Sequence, residues 1–341
     1  MSRLDEKSRV LVTGGAGFIG SALVWGLNQR GCERLVVADR LRSTDKWRHL
    51  GPLRFQDYLE ADELLPRLLN GSLGKFDIVL HMGACSSTTE RDVGYLIKNN
   101  FEFTKTLCHW ALETGARFVY ASSAATYGDG SSGMSDTDPD LDRLRPLNAY
   151  GFSKHLFDRY AWRAGVLDRI VGLKYFNVFG PNEDHKGDMR SVVLKATVQV
   201  QREGTIRLFK SYRPEYQDGE QQRDFLYVKD AVAMTLHLAA HPTASGLFNI
   251  GSGEAHTWKE LALAVFRALE KAPKIEFIEM PEELRPRYQY YTKADIGKLR
   301  ASGYDCPVTS LDDAVRDYVC NYLLPNRVLD PSIDTLSVPG A

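Results

Sequence analysis

A glycine-rich turn near the N-terminus restricts the fold more than any other feature of the sequence. Thr13-Gly-Gly-Ala-Gly-Phe-Ile-Gly20 places three spaced glycines, Gly14, Gly17 and Gly20, between a short apolar run and a helix-like segment. Glycine permits a positive φ in such a turn, and its missing Cβ lets backbone N–H groups approach a pyrophosphate at a helix N-terminus. The strand, turn and helix together predict the first βαβ unit of a dinucleotide-binding fold.

Strand-like and helix-like segments alternate over the first half of the chain. Runs rich in β-branched and aromatic residues begin at Leu35, Phe76, Arg117 and Ile170, with room for a helix between successive runs. This alternation predicts an α/β fold, a doubly wound parallel sheet with helices on both faces.

The periodicity changes after Tyr175, which predicts a second part of the molecule. We expect a Rossmann domain at residues 1–175, to which the chain returns around 224–248, and a smaller α/β substrate-binding domain at 176–330. The polar segment 211–222 is expected to be a loop, and Thr257 and Glu260 form a capping box before a helix. The last residues, 331–341, are predicted to be a disordered tail.

Composition and charge exclude several classes of protein. The net charge of the 341 residues is −1. The chain therefore lacks the surplus of basic residues that would indicate nucleic-acid or membrane binding. No apolar run is long enough to span a bilayer, and five scattered cysteines without a Cys-x-x-Cys pair fit reduced thiols in the cytoplasm. The eight histidines show no ligand spacing, so no metal site is predicted.

Tyr150 and Lys154 predict acid–base chemistry at an alcohol or a ketone. Tyrosine has a pKa of about 10 in water, and an ammonium one helical turn away is expected to lower that pKa by favouring the phenolate. Ser123, or alternatively Ser122, follows a predicted strand at the carboxyl edge of the sheet, where a hydroxyl can bind the same substrate oxygen. A Tyr-x-x-x-Lys pair also occurs by chance on helix surfaces, and the upstream glycine loop favours the catalytic interpretation.

The second predicted strand carries conflicting signals about the cofactor. It ends at Asp39, about 20 residues after the glycine loop, where a carboxylate can bind the adenosine ribose of NAD. Arg40, Arg42 and Lys46 follow at once and can bind the 2′-phosphate of NADP. We expect NADP, with NAD as the alternative.

Over residues 10–324 the chain resembles the extended short-chain dehydrogenase/reductases that act on nucleotide sugars. The glycine loop, Ser123, Tyr150 and Lys154 match that family, as do Arg223-Asp-Phe-Leu-Tyr-Val-Lys-Asp230 and Phe248-Asn-Ile-Gly251. Narrower strings resemble the branch that epimerises C6 of an ADP-linked heptose. These are His81-Met-Gly-Ala-Cys-Ser-Ser-Thr-Thr-Glu90, Ala121-Ser-Ser-Ala-Ala-Thr-Tyr-Gly128, Tyr175-Phe-Asn-Val-Phe-Gly-Pro181, His185-Lys-Gly187 and Arg287-Tyr-Gln289.

The narrower resemblance implies a redox epimerisation and gives Lys186 a role in it. ADP-D-glycero-β-D-manno-heptose would be oxidised at C6 to a ketone with tightly bound NAD(P) and reduced from the opposite face, for the inner core of lipopolysaccharide. Rotation about the C5–C6 bond moves the oxygen, so one proton carrier cannot easily serve both poses. The resemblance makes Lys186 a second acid–base group that faces Tyr150 across the substrate. Read alone, a loop lysine is a solvated charge.

The resemblance also implies which residues bind the ligands. The expected catalytic residues are Ser123, Tyr150, Lys154 and Lys186. The expected cofactor-binding residues are Gly14, Gly17, Phe18, Ile19, Gly20, Asp39, Arg40, Lys46, Met82, Gly83, Ala84, Cys85, Ser86, Asn99, Lys154, Val178 and Lys186. The expected substrate-binding residues are Ser86, Ser123, Asn177, Asp188, Lys195, Phe209, Arg223 and Tyr288. Arg223 could instead form a structural salt bridge, and Tyr288 could be a core aromatic.

Several positions depart from the branch and leave alternatives open. Asp188 and Lys195 stand where better-known members carry serine and histidine, and Ala61 stands where a cofactor-contacting lysine would be. A UDP-hexose 4-epimerase would use the same Ser123, Tyr150 and Lys154 without Lys186. A non-catalytic NAD(P)-sensing protein is the alternative from another class. The expected partners are a nucleotide-sugar substrate and further copies of the chain, a homo-oligomer and in this branch a pentamer.

Overall fold

A parallel sheet forms the centre of the computed structural model, which describes residues 4–138, 140–285 and 288–336. Of the described residues, seven segments pair in this sheet. Across the sheet they are β11 (Gly246–Ile250), β6 (Val171–Tyr175), β5 (Arg117–Ser123), β4 (Ile78–His81), β1 (Val10–Thr13), β2 (Leu35–Asp39) and β3 (Asp57–Glu60). The predicted α/β fold with a parallel sheet is therefore confirmed.

Helices cover both faces of the sheet. Val10 and Val12 of β1 enter one core, whereas Leu11 enters the other, as expected when side chains alternate along a strand buried on both sides. The first core holds α1 (Phe18–Gln29) and α8 (Val228–Ala240), and the second holds α3 (Ala61–Leu69), α5 (Phe103–Thr114) and α6 (Ala149–Arg163). Further helices are α2 (Trp47–Leu50), α4 (Val93–Leu96), α7 (Val192–Glu203), α9 (Trp258–Ala268), α10 (Gly297–Ala301) and α11 (Leu311–Tyr318).

Short strand pairs lie outside the main sheet. The parallel pairs are β7 (Asn177–Phe179) with β10 (Phe225–Tyr227) and β8 (Ile206–Phe209) with β13 (Ile275–Ile278), and the antiparallel pair is β9 (Gln222–Arg223) with β12 (His256–Thr257). The predicted capping box is present, because the Glu260 N–H donates to Thr257 Oγ1 (3.0 Å) and the Thr257 N–H donates to Glu260 Oε2 (2.6 Å). It opens α9 at Trp258, directly after Thr257.

The described part of the C-terminal segment packs on the body of the protein. Leu329 is buried, and its N–H donates to Asn182 Oδ1 (3.0 Å). Gln29 on α1 donates to the carbonyl of Pro331 (2.9 Å). Of the predicted tail 331–341, residues 337–341 lie outside the described residues. Among the described residues, no helix combines the length and the apolar character that crossing a bilayer requires.

Candidate active site

The glycine loop brings three backbone segments into close contact. Gly14 has a φ of +66°, and a Cβ there would lie 2.6 Å from the amide nitrogen of Gly83 at the end of β4. A Cβ on Gly20 would overlap the carbonyl oxygen of Gly14. Both contacts require glycine, because anything larger would separate α1 and β4 from the loop. The loop thus lies at the point where the strand order reverses, between β1 and β4, where open α/β sheets bind ligands.

The carboxylate of Asp39 ties the end of β2 to the glycine loop. Its Oδ2 accepts from the Ala16 N–H (2.9 Å), and its Oδ1 accepts from the Arg40 N–H (2.6 Å) and pairs with Lys46 Nζ (2.6 Å). A cavity of about 260 Å³ opens beside it. The predicted cofactor-binding residues that line this cavity are Gly14, Asp39, Arg40, Lys46, Gly83, Ala84, Cys85 and Asn99, joined by Arg42 and Ala61.

Asn100 holds the loop after β4, and sequence reasoning missed it. Its side chain accepts from the Cys85 N–H (2.8 Å) and donates to the Cys85 carbonyl (2.9 Å) and to Ser153 Oγ (2.9 Å). It lies in a π-helical stretch, Ile97–Glu102, that separates α4 from α5. π-Helical turns often occur at functional sites.

Tyr150 lies at the start of α6, close to the end of β5. Asn148 caps the helix by accepting from the Gly151 N–H (2.7 Å). A Cβ on Gly151 would lie 2.8 Å from the carbonyl oxygen of Ala125, so glycine lets this end of α6 approach the segment after β5. That segment begins with Ser123, which forms a hydrogen bond with Tyr150. The fold therefore brings the predicted serine and tyrosine together.

Of the two candidate serines, the geometry favours Ser123. Ser122 Oγ donates to Asp158 Oδ2 (2.7 Å), so its hydroxyl is engaged beneath the site. Asp158 also accepts from Tyr120 OH (2.7 Å) and forms a fully buried ion pair with Lys174 (3.3 Å). Sequence reasoning missed this buried network, which fixes the end of β5 against α6.

The expected lowering of the Tyr150 pKa by Lys154 is wrong. Burial raises the pKa of Tyr150, and the hydrogen bond with Ser123 offsets this only in part. Lys154 instead donates to the carbonyl of Ala121 (2.8 Å). Burial lowers the pKa of Lys154 to about 8, opposed by the charge of Asp158. In this site Tyr150 is a phenol at neutral pH, which is the form that can protonate an oxygen.

A second cavity, of about 480 Å³, contains the predicted catalytic residues. Ser123, Tyr150, Lys154 and Lys186 all line it. The other predicted binding residues on its wall are Phe18, Ile19, Met82, Ala84, Ser86, Asn177 and Val178. Ala84 borders both cavities. The arrangement places a tyrosine and a lysine around one space large enough for a sugar.

Lys186 belongs to a short 3-10 segment, Asp184–Met189. Hydrogen bonds hold this segment on both sides of Lys186, at Asp184 before it and between Glu183 and Ser191 across its ends. Lys186 Nζ lies 5.0 Å from the centre of the Phe18 ring, at the start of α1. Burial lowers the pKa of Lys186, against the opposing charge of Glu183. Glu183 is buried and accepts from the Ser191 N–H (2.7 Å) and hydroxyl (2.5 Å). A lysine with a lowered pKa is better suited to general acid–base work than a fully solvated one.

The Arg223 guanidinium packs against the rings of Tyr288 and Trp258, and Trp258 lines the second cavity. The Arg223 guanidinium lies 5.1 Å from the centre of the Tyr288 ring, and Trp258 Nε1 donates to Tyr288 OH (2.8 Å). Arg223 donates to the carbonyls of Gln222 (2.8 Å) and Gln289. The alternative salt bridge is absent from the part of the chain that the structure describes, where Arg223 has no carboxylate partner.

The remaining predicted residues are not among those that line the two cavities. Asp188 is exposed, and its carbonyl accepts from Lys195 Nζ (2.6 Å). Phe209 ends β8 and is half-buried. Gly17 caps α1, and its N–H donates to the Gly14 carbonyl (3.0 Å). Arg287, the first residue of one resemblance string, lies outside the described residues.

Two histidines that sequence spacing did not connect meet beside the Lys186 segment. Donor atoms of His49, Asp184 and His185 lie within 4.8 Å of one another. His49 Nε2 is 2.7 Å from Asp184 Oδ1. No sequence spacing could reveal this cluster, because 135 positions separate the two residues of that contact.

The two cavities fit a dinucleotide together with a second ligand. Gly14 and Gly83 expose backbone where a Cβ would block access, and the N-terminus of α1 follows directly. The first cavity holds polar and basic side chains for an adenosine end, and the second holds the acid–base residues. The residues present therefore fit a nicotinamide dinucleotide.

Comparisons with known proteins agree with this site. Residues 10–251 match the model of the NAD dependent epimerase/dehydratase family. ADP-L-glycero-D-manno-heptose-6-epimerase of Nitratidesulfovibrio vulgaris is 54% identical over 316 residues, which cover 92% of this chain and 97% of that protein.

Solved structures give the same result. The enzyme of that name from Helicobacter pylori has a TM-score of 0.78 at 26% identity, covering 94% of this chain and 98% of that one. UDP-glucose 4-epimerase of Thermus thermophilus, solved with NAD, has a TM-score of 0.73 at 27% identity, covering 92% and 98%. The resemblance read from the motifs is thereby confirmed.

Proposed function

The chain belongs to the NAD dependent epimerase/dehydratase family, and from that premise we propose that it inverts C6 of the heptose in ADP-D-glycero-β-D-manno-heptose. The product is ADP-L-glycero-β-D-manno-heptose, a precursor of the lipopolysaccharide inner core. The observation that carries the proposal is the presence of Tyr150 and Lys186 on the wall of one cavity. A 4-epimerase of the same family would need Tyr150 but not a second proton carrier.

The bound nicotinamide dinucleotide would take a hydride from C6 and give it back, so no external reductant is needed. Ser123 binds the reacting oxygen beside Tyr150, and the ammonium of Lys154 adds positive charge at the same end of α6. One carrier removes the hydroxyl proton as the ketone forms. After rotation about C5–C6, the other carrier protonates the oxygen in its new position.

We propose NADP as the resident cofactor. Arg40, Arg42 and Lys46 line the first cavity together, and Lys46 neutralises part of the charge of Asp39. Arg40 is engaged with Asn99 and Asp62, whereas Arg42 forms no hydrogen bond or ion pair among the described residues. Arg42 is thus the side chain that is available for a 2′-phosphate. A cytoplasmic location and a pentameric homo-oligomer also stay predictions.

Denaturing the purified protein is expected to release NADP, identified by mass spectrometry. Arg42→Gln should weaken retention of NADP by about tenfold or more, because it removes a hydrogen bond to a charged group, and should leave affinity for NAD almost unchanged. Release of NAD alone, or an equal loss of both dinucleotides in Arg42→Gln, would contradict the choice of NADP.

The substrate is tested by NMR on purified protein and ADP-D-glycero-β-D-manno-heptose without added reductant. We expect an equilibrium mixture of the two C6 epimers and no change at C4 of a UDP-hexose supplied separately. Conversion of the UDP-hexose with C6 of the heptose left intact would replace this function by a 4-epimerase. No turnover of either sugar would favour a non-catalytic dinucleotide sensor.

Tyr150→Phe and Lys186→Met are each expected to lower kcat by roughly 10²- to 10⁴-fold, because each removes one proton carrier. Lys210→Met is the matched control, since Lys210 is an exposed lysine that pairs with Glu279. If the carriers serve different epimers, the two variants will also differ in which epimer still reduces the bound cofactor. Near-normal turnover of Lys186→Met would refute its role as a carrier.

A further inference from the structure

One buried histidine connects the glycine loop to the segment that carries Lys186. The side chain of His49, on α2, is 0% exposed. Its Nδ1 lies 2.9 Å from the carbonyl oxygen of Ala16 in the glycine loop, and its Nε2 lies 2.7 Å from Asp184 Oδ1. Asp184 precedes Lys186 by two residues. A single imidazole therefore spans the loop that faces the phosphates and the segment that bears a proton carrier.

The two partners of His49 determine its protonation state. A backbone carbonyl can only accept a hydrogen bond, and so can an ionised carboxylate. A neutral imidazole has one N–H and can satisfy only one of them. The imidazolium has two, so both contacts are hydrogen bonds only if His49 is charged and Asp184 is its counter-ion.

The charges around the pair support this assignment. Burial tends to raise the pKa of Asp184, but the hydrogen bond from His49 and its charge bring that pKa below the ordinary value, so the carboxylate form persists. Burial lowers the pKa of His185 to about 4, so its ring, 5.0 Å from that of His49, is neutral. The other titratable groups on these two segments and directly beside them are Asp45, Lys46, Arg48, Glu183, Lys186, Asp188 and Arg190.

The cluster of His49, Asp184 and His185 is explained better by a hydrogen bond than by a metal ion bound between the three side chains. Two ligand atoms bound to the same tetrahedral zinc ion are about 3.3 Å apart, because each metal–ligand bond is about 2.0 Å long. The Nε2 to Oδ1 distance of 2.7 Å is that of a charge-assisted hydrogen bond. The second ring nitrogen of His49 is already occupied by the Ala16 carbonyl.

We propose that His49 is a positioning residue, an imidazolium that holds Lys186 in place by bridging the carbonyl of Ala16 and the carboxylate of Asp184. The inference deepens the proposed function, on which the role of Lys186 rests. Lys186 Nζ also lies over the ring of Phe18, so the Lys186 segment contacts the start of α1 directly and is linked to the glycine loop through His49. The position of the proton carrier is thereby coupled to the loop that cradles the dinucleotide.

The bridge has a definite dependence on pH. As pH falls through the lowered pKa of Asp184, the carboxylate is protonated and the ion pair is lost. Above that pKa the Asp184 carboxylate is ionised and can accept the hydrogen bond from His49.

The protonation state is measured on protein labelled with ¹⁵N-histidine, through correlations between ring protons and ring nitrogens. The signal of His49 is identified by its loss in His49→Gln. At neutral pH we expect both ring nitrogens to be protonated, and only one in Asp184→Asn. A neutral ring in the unaltered protein, or a ring that Asp184→Asn does not change, would overturn the proposal. This result does not depend on activity, so it stands apart from failure of the proposed substrate.

Kinetics test the positioning role. Asp184→Asn and His49→Gln should each lower kcat by roughly 10- to 100-fold with little change in KM, because a misplaced catalytic group loses rate. The double variant should be no slower than the slower single variant, since both changes break one bridge. Asp184 has a 45% exposed side chain, so its replacement tests the bridge without emptying a buried site.

The matched control is His241→Gln, the same substitution at a histidine that contacts Thr243 and the ring of His237. It should leave kcat, KM and the His49 signal unchanged. Additive losses in the double variant, or full activity in Asp184→Asn, would show that His49 only fills space.

Discussion

The contact between the backbones of Gly14 and Gly83 is the constraint on which the site depends. β1 and β4 are neighbours in the sheet, and the chain leaves their carboxyl ends in opposite directions. Because neither glycine has a side chain, the segments that follow β1 and β4 are in direct backbone contact. One cavity then opens toward Asp39 and the other toward Tyr150. A Cβ at Gly14 would clash with the backbone of Gly83 and force the two segments apart.

Burial controls the acid–base groups in the second cavity. It lowers the pKa values of Lys154 and Lys186 and raises that of Tyr150, so all three are moved toward their neutral forms. A lysine with a lowered pKa can exchange a proton near neutral pH at modest cost, whereas the raised pKa of Tyr150 keeps its phenol protonated. Placing them around one space suits a substrate whose oxygen changes position between oxidation and reduction. Beneath them, the buried pair Asp158 and Lys174 keeps the floor rigid.

The sequence predicted those parts of the fold that local pattern determines. The glycine loop, the apolar strands and the capping box at Thr257 are local features, and each lies where it was expected. β3 was missed because only Leu59 of its four residues is buried, so this edge strand lacks an apolar run. Asn100, Lys174 and His49 were missed because their partners are distant in sequence. The raised pKa of Tyr150 was not predicted, because it results from burial, and the spacing of residues in the sequence does not reveal burial.

The central claim is that the hydrogen removed from C6 is the one that returns to it. A substrate carrying deuterium at C6 tests this most directly, with the reaction run in ordinary water and the product examined by NMR and mass spectrometry. The account predicts that inverted product keeps its deuterium at C6 in full, because Tyr150 and Lys186 handle only the oxygen-bound proton. Loss of deuterium to solvent in step with inversion would contradict it, since C6 would then be inverted by removing and replacing a proton.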